Sequence, residues 1–274
     1  MKDEDKNVEG IPEIAGFKQR ETALITGASE GIGYELTKLF AQNGYNLVLV
    51  ARNEQKLTQI SSDMRRLHNI STKVIRKDLS EDGAPYEIYD ELKKEGIQVN
   101  ILVNNAGYMI YGPFAETELS QELDMFKVLI GTPIVLTKLF LQDMLRERGG
   151  KILNVGSIGS FGPGPLASIY GASKAFIFYF SHAIAEELAD NNLTVTTLCP
   201  GATRTQFASR GKVENIFGAK HGTMSAEKVA EIGYRALMNH KRHVVPGIAN
   251  KIFVFTTRLN PWAFQAKVAK AFMS

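Results

Sequence analysis

Short apolar runs alternate with longer amphipathic stretches along most of this chain, from about residue 22 onward. Runs such as TALIT, LVLV and ILVN are nearly continuous in hydrophobic residues, which is typical of strands that are buried on both faces of a parallel sheet. The pattern predicts seven strands, at residues 22–26, 45–50, 72–77, 101–103, 151–155, 194–198 and 243–245.

The intervals between these strands carry the periodicity of amphipathic helices, most clearly at residues 33–43, 54–68, 85–94, 120–148 and 175–188. Strands and helices that alternate in this way predict an α/β fold, a doubly wound parallel sheet with helices on both faces. No repeat, low-complexity block or linker divides the pattern. We therefore expect a flexible tail at residues 1–20, one domain at 21–246 and a helical extension at 247–274.

Composition and charge exclude several classes of protein. The net charge of +3 arises from 32 basic and 29 acidic residues, which is too balanced for a nucleic-acid-binding protein. The single cysteine, Cys199, excludes an internal disulfide and follows an apolar strand, so we expect a core residue in a cytoplasmic protein. The charged N-terminus lacks the apolar region of a secretory signal, and no segment approaches the roughly 20 apolar residues of a membrane-spanning helix.

The first strand runs directly into the glycine-rich stretch TGASEGIG at residues 26–33. Gly27, Gly31 and Gly33 would allow a tight turn, close approach of the backbone to a pyrophosphate, and packing of the next helix on the strand. The N–H groups at the start of that helix would bind the phosphates. Glycines also serve in ordinary turns, but this position at the first strand–helix junction favours a dinucleotide site on a Rossmann fold.

Arg52 follows the second strand, at the position where a dinucleotide fold faces the adenosine ribose. An acidic residue there favours the free 2′-hydroxyl of NAD, whereas an arginine can pair with a 2′-phosphate. We therefore expect NADP(H) rather than NAD(H). Two observations keep the alternative open: Arg52 can be a solvated surface residue, and Glu30 within the glycine loop would repel a phosphate.

Four stretches follow one another in the order TGASEGIG (26–33), NNAG (104–107), NVGS (154–157) and YGASK (170–174), and PGATRT (200–205) comes after the sixth strand. Together they closely resemble the short-chain dehydrogenase/reductase family, in the single-domain branch that includes the DltE-like oxidoreductases. The resemblance extends over about residues 20–245. It implies a catalytic domain that moves a hydride between a nicotinamide cofactor and a carbonyl or alcohol. We expect no metal, because His240 and His243 have no further ligands near them in sequence.

The resemblance also implies which residues form the site. Tyr170 takes the place of the acid/base tyrosine, Lys174 that of the lysine, and Ser157 that of the serine, thirteen positions before Tyr170. The residues implied for the cofactor are Gly27, Ser29, Gly31, Ile32, Gly33, Arg52, Asp78, Leu79, Asn105, Ala106, Gly107, Tyr170, Lys174, Pro200, Gly201, Thr203 and Thr205.

The residue types explain how these implied roles would work. A carbonyl that accepts a hydride needs a proton donor, and a free tyrosine, with a pKa of about 10, matches neutral pH poorly. Lys174 lies one helical turn after Tyr170, so we expect its ammonium to lower the pKa of Tyr170 and to hold the cofactor ribose, while Ser157 orients the carbonyl oxygen. Taken alone, Tyr170 would be a packing residue and Lys174 a solvated one.

One position departs from the family pattern. The family usually carries an asparagine in the long helix before the fifth strand, where it positions the lysine through a water. Alignment on LTKLF (136–140) places Leu129 there, or Val128 if the helix slips by one residue, and Pro133 predicts a local kink. We hypothesise that backbone carbonyls freed by the kink replace the asparagine. The alternative is a cofactor-binding sensor or scaffold whose catalysis is weakened.

Three segments that the resemblance locates around the substrate, at residues 108–114, 158–166 and 207–223, are rich in apolar and aromatic side chains. Such a lining suits an acyl, lipid-like or steroid-like carbonyl compound better than a sugar, although each side chain could equally belong to lid packing. The candidate pocket residues are Tyr108, Phe114, Ile158, Phe161, Phe207 and Phe217.

The last 28 residues, at 247–274, combine apolar side chains with four basic residues and contain no acidic residue. A basic amphipathic segment suits peripheral contact with an anionic membrane, and packing on its own domain or on a sister subunit is the alternative. Pro261 predicts a division into two short helices. The apolar face of the helix at 175–188 predicts a homodimer or homotetramer. The basic residues are Lys251, Arg258, Lys267 and Lys270.

Overall fold

The computed structural model describes Phe17 and residues 20–205 and 223–273. Each predicted strand is present, with its ends shifted by at most one residue. The strands are β1 Thr22–Thr26, β2 Asn46–Ala51, β3 Thr72–Arg76, β4 Ile101–Asn104, β5 Gly150–Val155, β6 Leu193–Leu198, β7 Thr203–Arg204, β8 Met224–Ser225 and β9 His243–Val244. The two shortest, β7 and β8, were not predicted, because two residues carry no periodicity.

Seven strands form one parallel sheet in the order β3-β2-β1-β4-β5-β6-β9, while β7 and β8 form a separate pair. The strand order reverses between β1 and β4, which are neighbours in the sheet. In an open α/β sheet the connections diverge at this point and leave a crevice at the carboxyl ends of the strands. The predicted fold class, a doubly wound parallel sheet, is confirmed.

Helices cover both faces of the sheet. They are α1 Gly31–Gln42, α2 Glu54–His68, α3 Ala84–Lys94, α4 Leu119–Phe126, α5 Thr132–Arg146, α6 Ser168–Glu187, α7 Ala226–Met238, α8 Ile248–Thr257 and α9 Trp262–Met273. One apolar core joins α1, α2 and α7 to the sheet, through residues such as Phe40, Leu57 and Leu237. The core on the opposite face includes Leu92 of α3 and Phe140 of α5. Cys199 is fully buried, as predicted.

The long helix predicted at 120–148 is divided by a π-helical turn, Lys127–Gly131, that joins α4 to α5. Pro133 lies in the first turn of α5. Because proline has no backbone N–H, it cannot bond to the carbonyl of Leu129 four residues earlier, and its ring crowds that turn. A wider turn is one way to relieve this conflict.

This helical run is long and apolar enough to resemble a membrane-spanning helix, which the sequence analysis did not anticipate. Over the 28 residues of Leu119–Arg146 an 18-residue window reaches a mean hydropathy of 1.5, so by length and composition the run could span a membrane. The expectation that no segment approaches this length is therefore wrong. Half of the window is buried in the fold, where α5 packs on α3 and on the sheet, so its apolar residues serve the core.

Candidate active site

A cleft of about 1010 Å³ opens at the carboxyl ends of the central strands, where the strand order reverses. Parallel strands bring the segments that follow them to one edge of the sheet, so motifs distant in sequence meet there. Those predicted residues that line the cleft are Gly27, Ser29, Gly31, Ile32, Arg52, Asp78, Leu79, Asn105, Ala106, Gly107, Tyr108, Ser157, Ile158, Tyr170, Lys174, Pro200, Gly201, Thr203 and Thr205.

The glycine loop forms one wall of this cleft. Gly27 and Gly31 adopt left-handed backbone conformations, with φ of 66° and 57°, which favour glycine. The Asn105 side chain donates to the carbonyl of Thr26 at 2.9 Å, and a Cβ on Gly27 would lie 2.8 Å from that amide. Gly33 does not line the cleft: a Cβ on it would lie 2.2 Å from the Gly27 oxygen, so it permits α1 to pack on the loop.

The start of α1 is open to an anion. Its N-cap residue, Glu30, makes no side-chain capping hydrogen bond, and the first turn contains no acidic residue. Uncapped N–H groups and the positive end of the helix dipole therefore face the cleft beside Gly31. Together with the volume of the cleft, these features fit the pyrophosphate of a dinucleotide.

Paired charges mark the end of the cleft beyond β2. Arg52 Nη1 lies 3.7 Å from Asp78 Oδ2, and Lys56 Nζ lies 3.7 Å from Glu30 Oε2. Burial raises the pKa of Asp78, but hydrogen bonds from Ser80 and the charge of Arg52 outweigh it and hold that pKa below its usual value. The Arg52 side chain is still 65% exposed, so it is accessible to an anionic ligand.

Ser157, Tyr170 and Lys174 meet at the opposite end of the cleft. Ser157 follows β5, whereas the other two lie on the first turns of α6. Tyr170 hydrogen-bonds to Ser157, and Lys174 Nζ lies 5.7 Å from the centre of the Tyr170 ring. Lys174 is only 6% exposed and donates from Nζ to the carbonyl of Val155 at 2.7 Å. The sheet therefore fixes the lysine through its own backbone.

Burial determines the protonation of both groups. It raises the pKa of Tyr170 to about 12, although the hydrogen bond with Ser157 acts in the opposite direction. It also lowers the pKa of Lys174 to about 8. We expected Lys174 to lower the pKa of Tyr170. That expectation is wrong for the protein without cofactor, because burial of the phenol raises its pKa by more than any nearby group lowers it. At neutral pH Tyr170 is a protonated phenol.

Leu129 occupies the space beside the lysine. It lies in the π-helical turn and is 2% exposed. A Cβ on Gly107 would lie 2.7 Å from Leu129 Cδ2 and 3.9 Å from Lys174 Nζ, so the leucine packs against this corner of the site. Its side chain supplies no hydrogen bond, and the carbonyl of Val155 is the partner of Lys174.

Ser160 is a buried residue of the site that the sequence analysis missed. Its hydroxyl donates to the Lys174 carbonyl at 2.8 Å and accepts from the Ser157 backbone N–H at 3.3 Å. It therefore joins the turn after β5 to α6. The signal was present in sequence, because serines at 157 and 160 have the spacing of a capping box. Residues that line the cleft and were not predicted include Glu30, Asn53, Lys77, Ser80, Gly156, Ala202, Arg204 and Thr223.

Two of the predicted pocket residues lie elsewhere. Phe114 is 60% exposed on the loop after β4 and does not line the cleft. Phe161 packs on Phe178, with ring centres 4.7 Å apart, because the 3₁₀ turn Ile158–Phe161 directs it toward α6 and α8. Phe207 and Phe217 lie outside the described residues. Within the described ranges, no group of three or more His, Cys, Asp or Glu residues is placed to hold a metal ion.

The cleft lies at the strand-order reversal of a doubly wound sheet, where α/β proteins of this architecture typically bind nucleotides. The sequence profile described as short chain dehydrogenase matches residues 21–214. This chain therefore belongs to the short-chain dehydrogenase family, as the motifs predicted. The relatives named below are reductases and dehydrogenases, which agrees with the expected enzyme class.

Individual relatives agree with this assignment. The chain is 37% identical over 189 residues to a very-long-chain 3-oxoacyl-CoA reductase of Phaeosphaeria nodorum, a match that covers 66% of this chain and 55% of that protein. It is 35% identical over 183 residues to the 17-beta-hydroxysteroid dehydrogenase type 3 of Mus musculus, covering 65% and 58%. The chain thus spans little more than half the length of these relatives.

A solved structure shares most of the fold. It is a short-chain dehydrogenase from Sphingobium yanoikuyae in complex with NADPH, at 26% identity and a TM-score of 0.78, and the match covers 87% of this chain and 94% of that one.

Proposed function

We propose that this chain is an NADP(H)-dependent oxidoreductase that transfers a hydride between nicotinamide and the carbonyl or alcohol group of an apolar substrate. One observation carries the proposal: the buried phenol of Tyr170 hydrogen-bonds to Ser157 beside Lys174, in the same cleft as the glycine loop. A buried group with a strongly shifted pKa in a cleft is typical of a catalytic site.

Tyr170 acts as the general acid in the direction of reduction. A bound nicotinamide cofactor would supply the hydride that the carbonyl carbon receives. Negative charge then develops on the carbonyl oxygen, and the Ser157 hydroxyl orients and stabilises that oxygen by a hydrogen bond. Because Tyr170 is protonated at neutral pH, its hydroxyl has a proton to donate to the same oxygen. In oxidation Tyr170 would accept the proton of the alcohol as a phenolate, and Ser157 would still orient the oxygen.

Lys174 would hold the cofactor ribose and stabilise the phenolate that Tyr170 becomes. The Val155 carbonyl fixes its ammonium at 2.7 Å. We further propose that the carbonyl of Leu129, which receives no α-helical hydrogen bond from Pro133, supports the proton supply in place of the usual asparagine side chain. The π-helical turn at Lys127–Gly131 supports this hypothesis.

The charges beyond β2 favour NADP(H) over NAD(H). Arg52 is exposed and no acidic residue follows the strand tip directly, so a 2′-phosphate would gain a charged partner. The negative charge of Glu30 would repel a phosphate, but Lys56 pairs with Glu30 and offsets that charge. The other residues that we propose to bind the cofactor are those of the glycine loop, the NNAG segment, Asp78, Leu79 and the PGATRT segment.

An acyl, lipid-like or steroid-like substrate fits the apolar wall formed by Tyr108, Met109 and Ile158. The names of the similar proteins, a 3-oxoacyl-CoA reductase and a hydroxysteroid dehydrogenase, agree with such a substrate. We propose that residues 21–246 form the catalytic unit and that 247–274 is an appended extension.

We propose that the protein works as a homodimer or homotetramer in the cytoplasm, peripheral to a membrane. Exposed apolar side chains on neighbouring helices support subunit contact, among them Leu123 and Phe126 of α4 and Phe176 and Tyr179 of α6.

A sensor or scaffold with weakened catalysis is the second candidate, and the apolar Leu129 beside Lys174 is the observation that favours it. Such a protein would bind NADPH tightly and reduce no carbonyl.

Replacement of the proton donor separates these candidates. We expect Tyr170→Phe to lower kcat/KM for ketone reduction by at least about 10²-fold, because the general acid is lost, with little change in NADPH affinity. NADPH absorbance with a panel of ketones and 3-oxoacyl thioesters measures this. Tyr179→Phe, on the exposed face of the same helix, is the control and should match the wild type. Full activity in Tyr170→Phe contradicts the proposed mechanism, and NADPH binding without turnover of any carbonyl in the wild type supports the sensor.

Charge reversal tests the cofactor. We expect Arg52→Asp to weaken NADPH binding by about tenfold or more and to leave NADH binding nearly unchanged, because one charge-assisted pair with the 2′-phosphate is lost. Fluorescence titrations of both nucleotides measure this, with Arg66→Asp on α2 as the control. Tighter binding of NADH than of NADPH by the wild type would show the cofactor preference to be wrong.

The pKa of Lys174 predicts a pH profile. As the pH rises through about 8, Lys174 loses its charge while Tyr170 keeps its proton until about 12. We expect kcat/KM for NADPH to fall above pH 8, about tenfold per pH unit, because the cation that holds the ribose is lost. Residual activity in Lys174→Arg should lack this fall, since arginine stays charged. A flat wild-type profile up to pH 10 contradicts the assignment.

A further inference from the structure

The two C-terminal helices carry an apolar face that is exposed in the described part of the chain. α8 docks on the domain through Val254, which is buried with Phe161 and Phe178. On the same helix, Ile248, Ile252 and Phe255 are spaced four and three residues apart. They are 77%, 60% and 61% exposed. Side chains at these spacings share one side of a helix, so α8 turns one apolar face inward and another outward.

The exposed face continues beyond α8. Leu259 in the connecting turn is 68% exposed, and Trp262 and Phe264 at the start of α9 are 68% and 54% exposed. Seven of the sixteen exposed large apolar side chains in the described part of the chain lie between residues 248 and 264. Such a concentration in seventeen residues exceeds the scattered apolar exposure of an ordinary surface.

Basic side chains border this face. Lys251 and Arg258 are exposed and precede Ile252 and Leu259 by one position each, and Lys267 is exposed on α9. The sequence contains no acidic residue from 232 to its end, so nothing within the extension neutralises these charges. We call the exposed apolar and basic side chains between residues 248 and 267 the C-terminal surface.

The C-terminal surface is held in a defined shape. The Gln265 side chain of α9 donates to the carbonyls of Thr257 and Asn260, at 2.7 Å each, and so fixes the turn between the two helices. The Asn250 side chain donates to the Pro246 carbonyl at 2.6 Å and fixes the start of α8. These bonds keep the apolar side chains exposed on an ordered scaffold.

The same helices adjoin the substrate end of the cleft. A Cβ on Gly201, which lines the cleft, would lie 2.5 Å from the Asn250 amide. A Cβ on Gly162 would lie 2.8 Å from Gln265 Oε1. The helices that carry the C-terminal surface therefore pack next to the segment that follows Ser157.

We propose that the C-terminal surface docks on an anionic lipid bilayer, with its apolar side chains among the acyl chains and its basic side chains at the lipid phosphates. A second copy of the chain fits the same face less well, because two such faces would bring basic side chains together without an acidic partner from the extension. Docking would bring the cleft to a bilayer in which an apolar substrate dissolves. This last step rests on the proposed function, whereas the docking itself does not.

Trp262 is the only tryptophan in the chain, so its fluorescence reports on this surface alone. The full chain is mixed with phosphatidylcholine vesicles, with or without phosphatidylserine. We expect the emission of Trp262 to shift to shorter wavelength and to be quenched by brominated acyl chains on the anionic vesicles. Pure phosphatidylcholine or high salt should weaken both effects, because the lipid charge contributes to binding.

Matched variants separate the two kinds of contact. Lys251→Glu, Arg258→Glu and Lys267→Glu together should lower the vesicle affinity by about tenfold or more, and Phe255→Ser should lower it several-fold. Controls on other helices are Lys94→Glu and Leu67→Ser, both at exposed positions, and they should bind as the wild type does. Thermal unfolding identifies any variant that fails to fold.

Three results would overturn the proposal: Trp262 emission that no vesicle changes, charge-reversed protein that binds as the wild type does, or a shift that appears without lipid as protein concentration rises. The last result would identify a second copy as the occupant. Reduction of a water-soluble ketone is measured on the same variants and should be unchanged, whereas KM for a ketone dissolved in vesicles should rise. If the wild type reduces no ketone, the proposed function fails while the vesicle assay still decides the docking.

Discussion

A buried ammonium group held by a backbone carbonyl is the interaction on which the site depends. Lys174 lies on α6, and its bond to the Val155 carbonyl ties that helix to the end of β5, from which Ser157 follows. Ser160 makes a second tie between the same two elements. A shift of the lysine pKa from 10.5 to about 8 corresponds to about 3 kcal/mol of unfavourable burial. The fold tolerates this cost at a place where a cation is useful for chemistry.

The strands and most helices could be predicted from sequence because a parallel sheet covered on both faces imposes a strong pattern. Buried strands such as β2 are apolar over almost their whole length, and the helices between them are amphipathic, so even their ends were predicted within one or two residues in most cases. The meeting of the glycine loop, the NNAG segment and the YGASK stretch also followed from topology, since parallel strands bring their carboxyl ends together.

The predictions that were wrong or incomplete concern features that depend on tertiary packing. Spacing alone suggested that Lys174 would lower the pKa of Tyr170, but the degree of burial decides the direction of that shift, and sequence does not reveal it. Phe161 follows Ser157 closely in sequence, yet a 3₁₀ turn directs it against Phe178. Pro133 predicted a disturbance of the helix. Only the structure shows that this disturbance is a wider turn, which brings Leu129 beside Gly107 and Lys174.

The central claim of this account is that one cleft delivers a hydride to a carbonyl carbon while Tyr170 protonates the oxygen. The most direct measurement is single turnover with NADPH that carries deuterium at the transferred position of the nicotinamide, offered with 3-oxoacyl thioesters and bulky ketones. The account predicts an alcohol with one deuterium on its carbinol carbon, detected by mass spectrometry, and none from Tyr170→Phe on the same timescale. Deuterium absent from every product of the wild type, or transferred equally fast without the phenol, would contradict it.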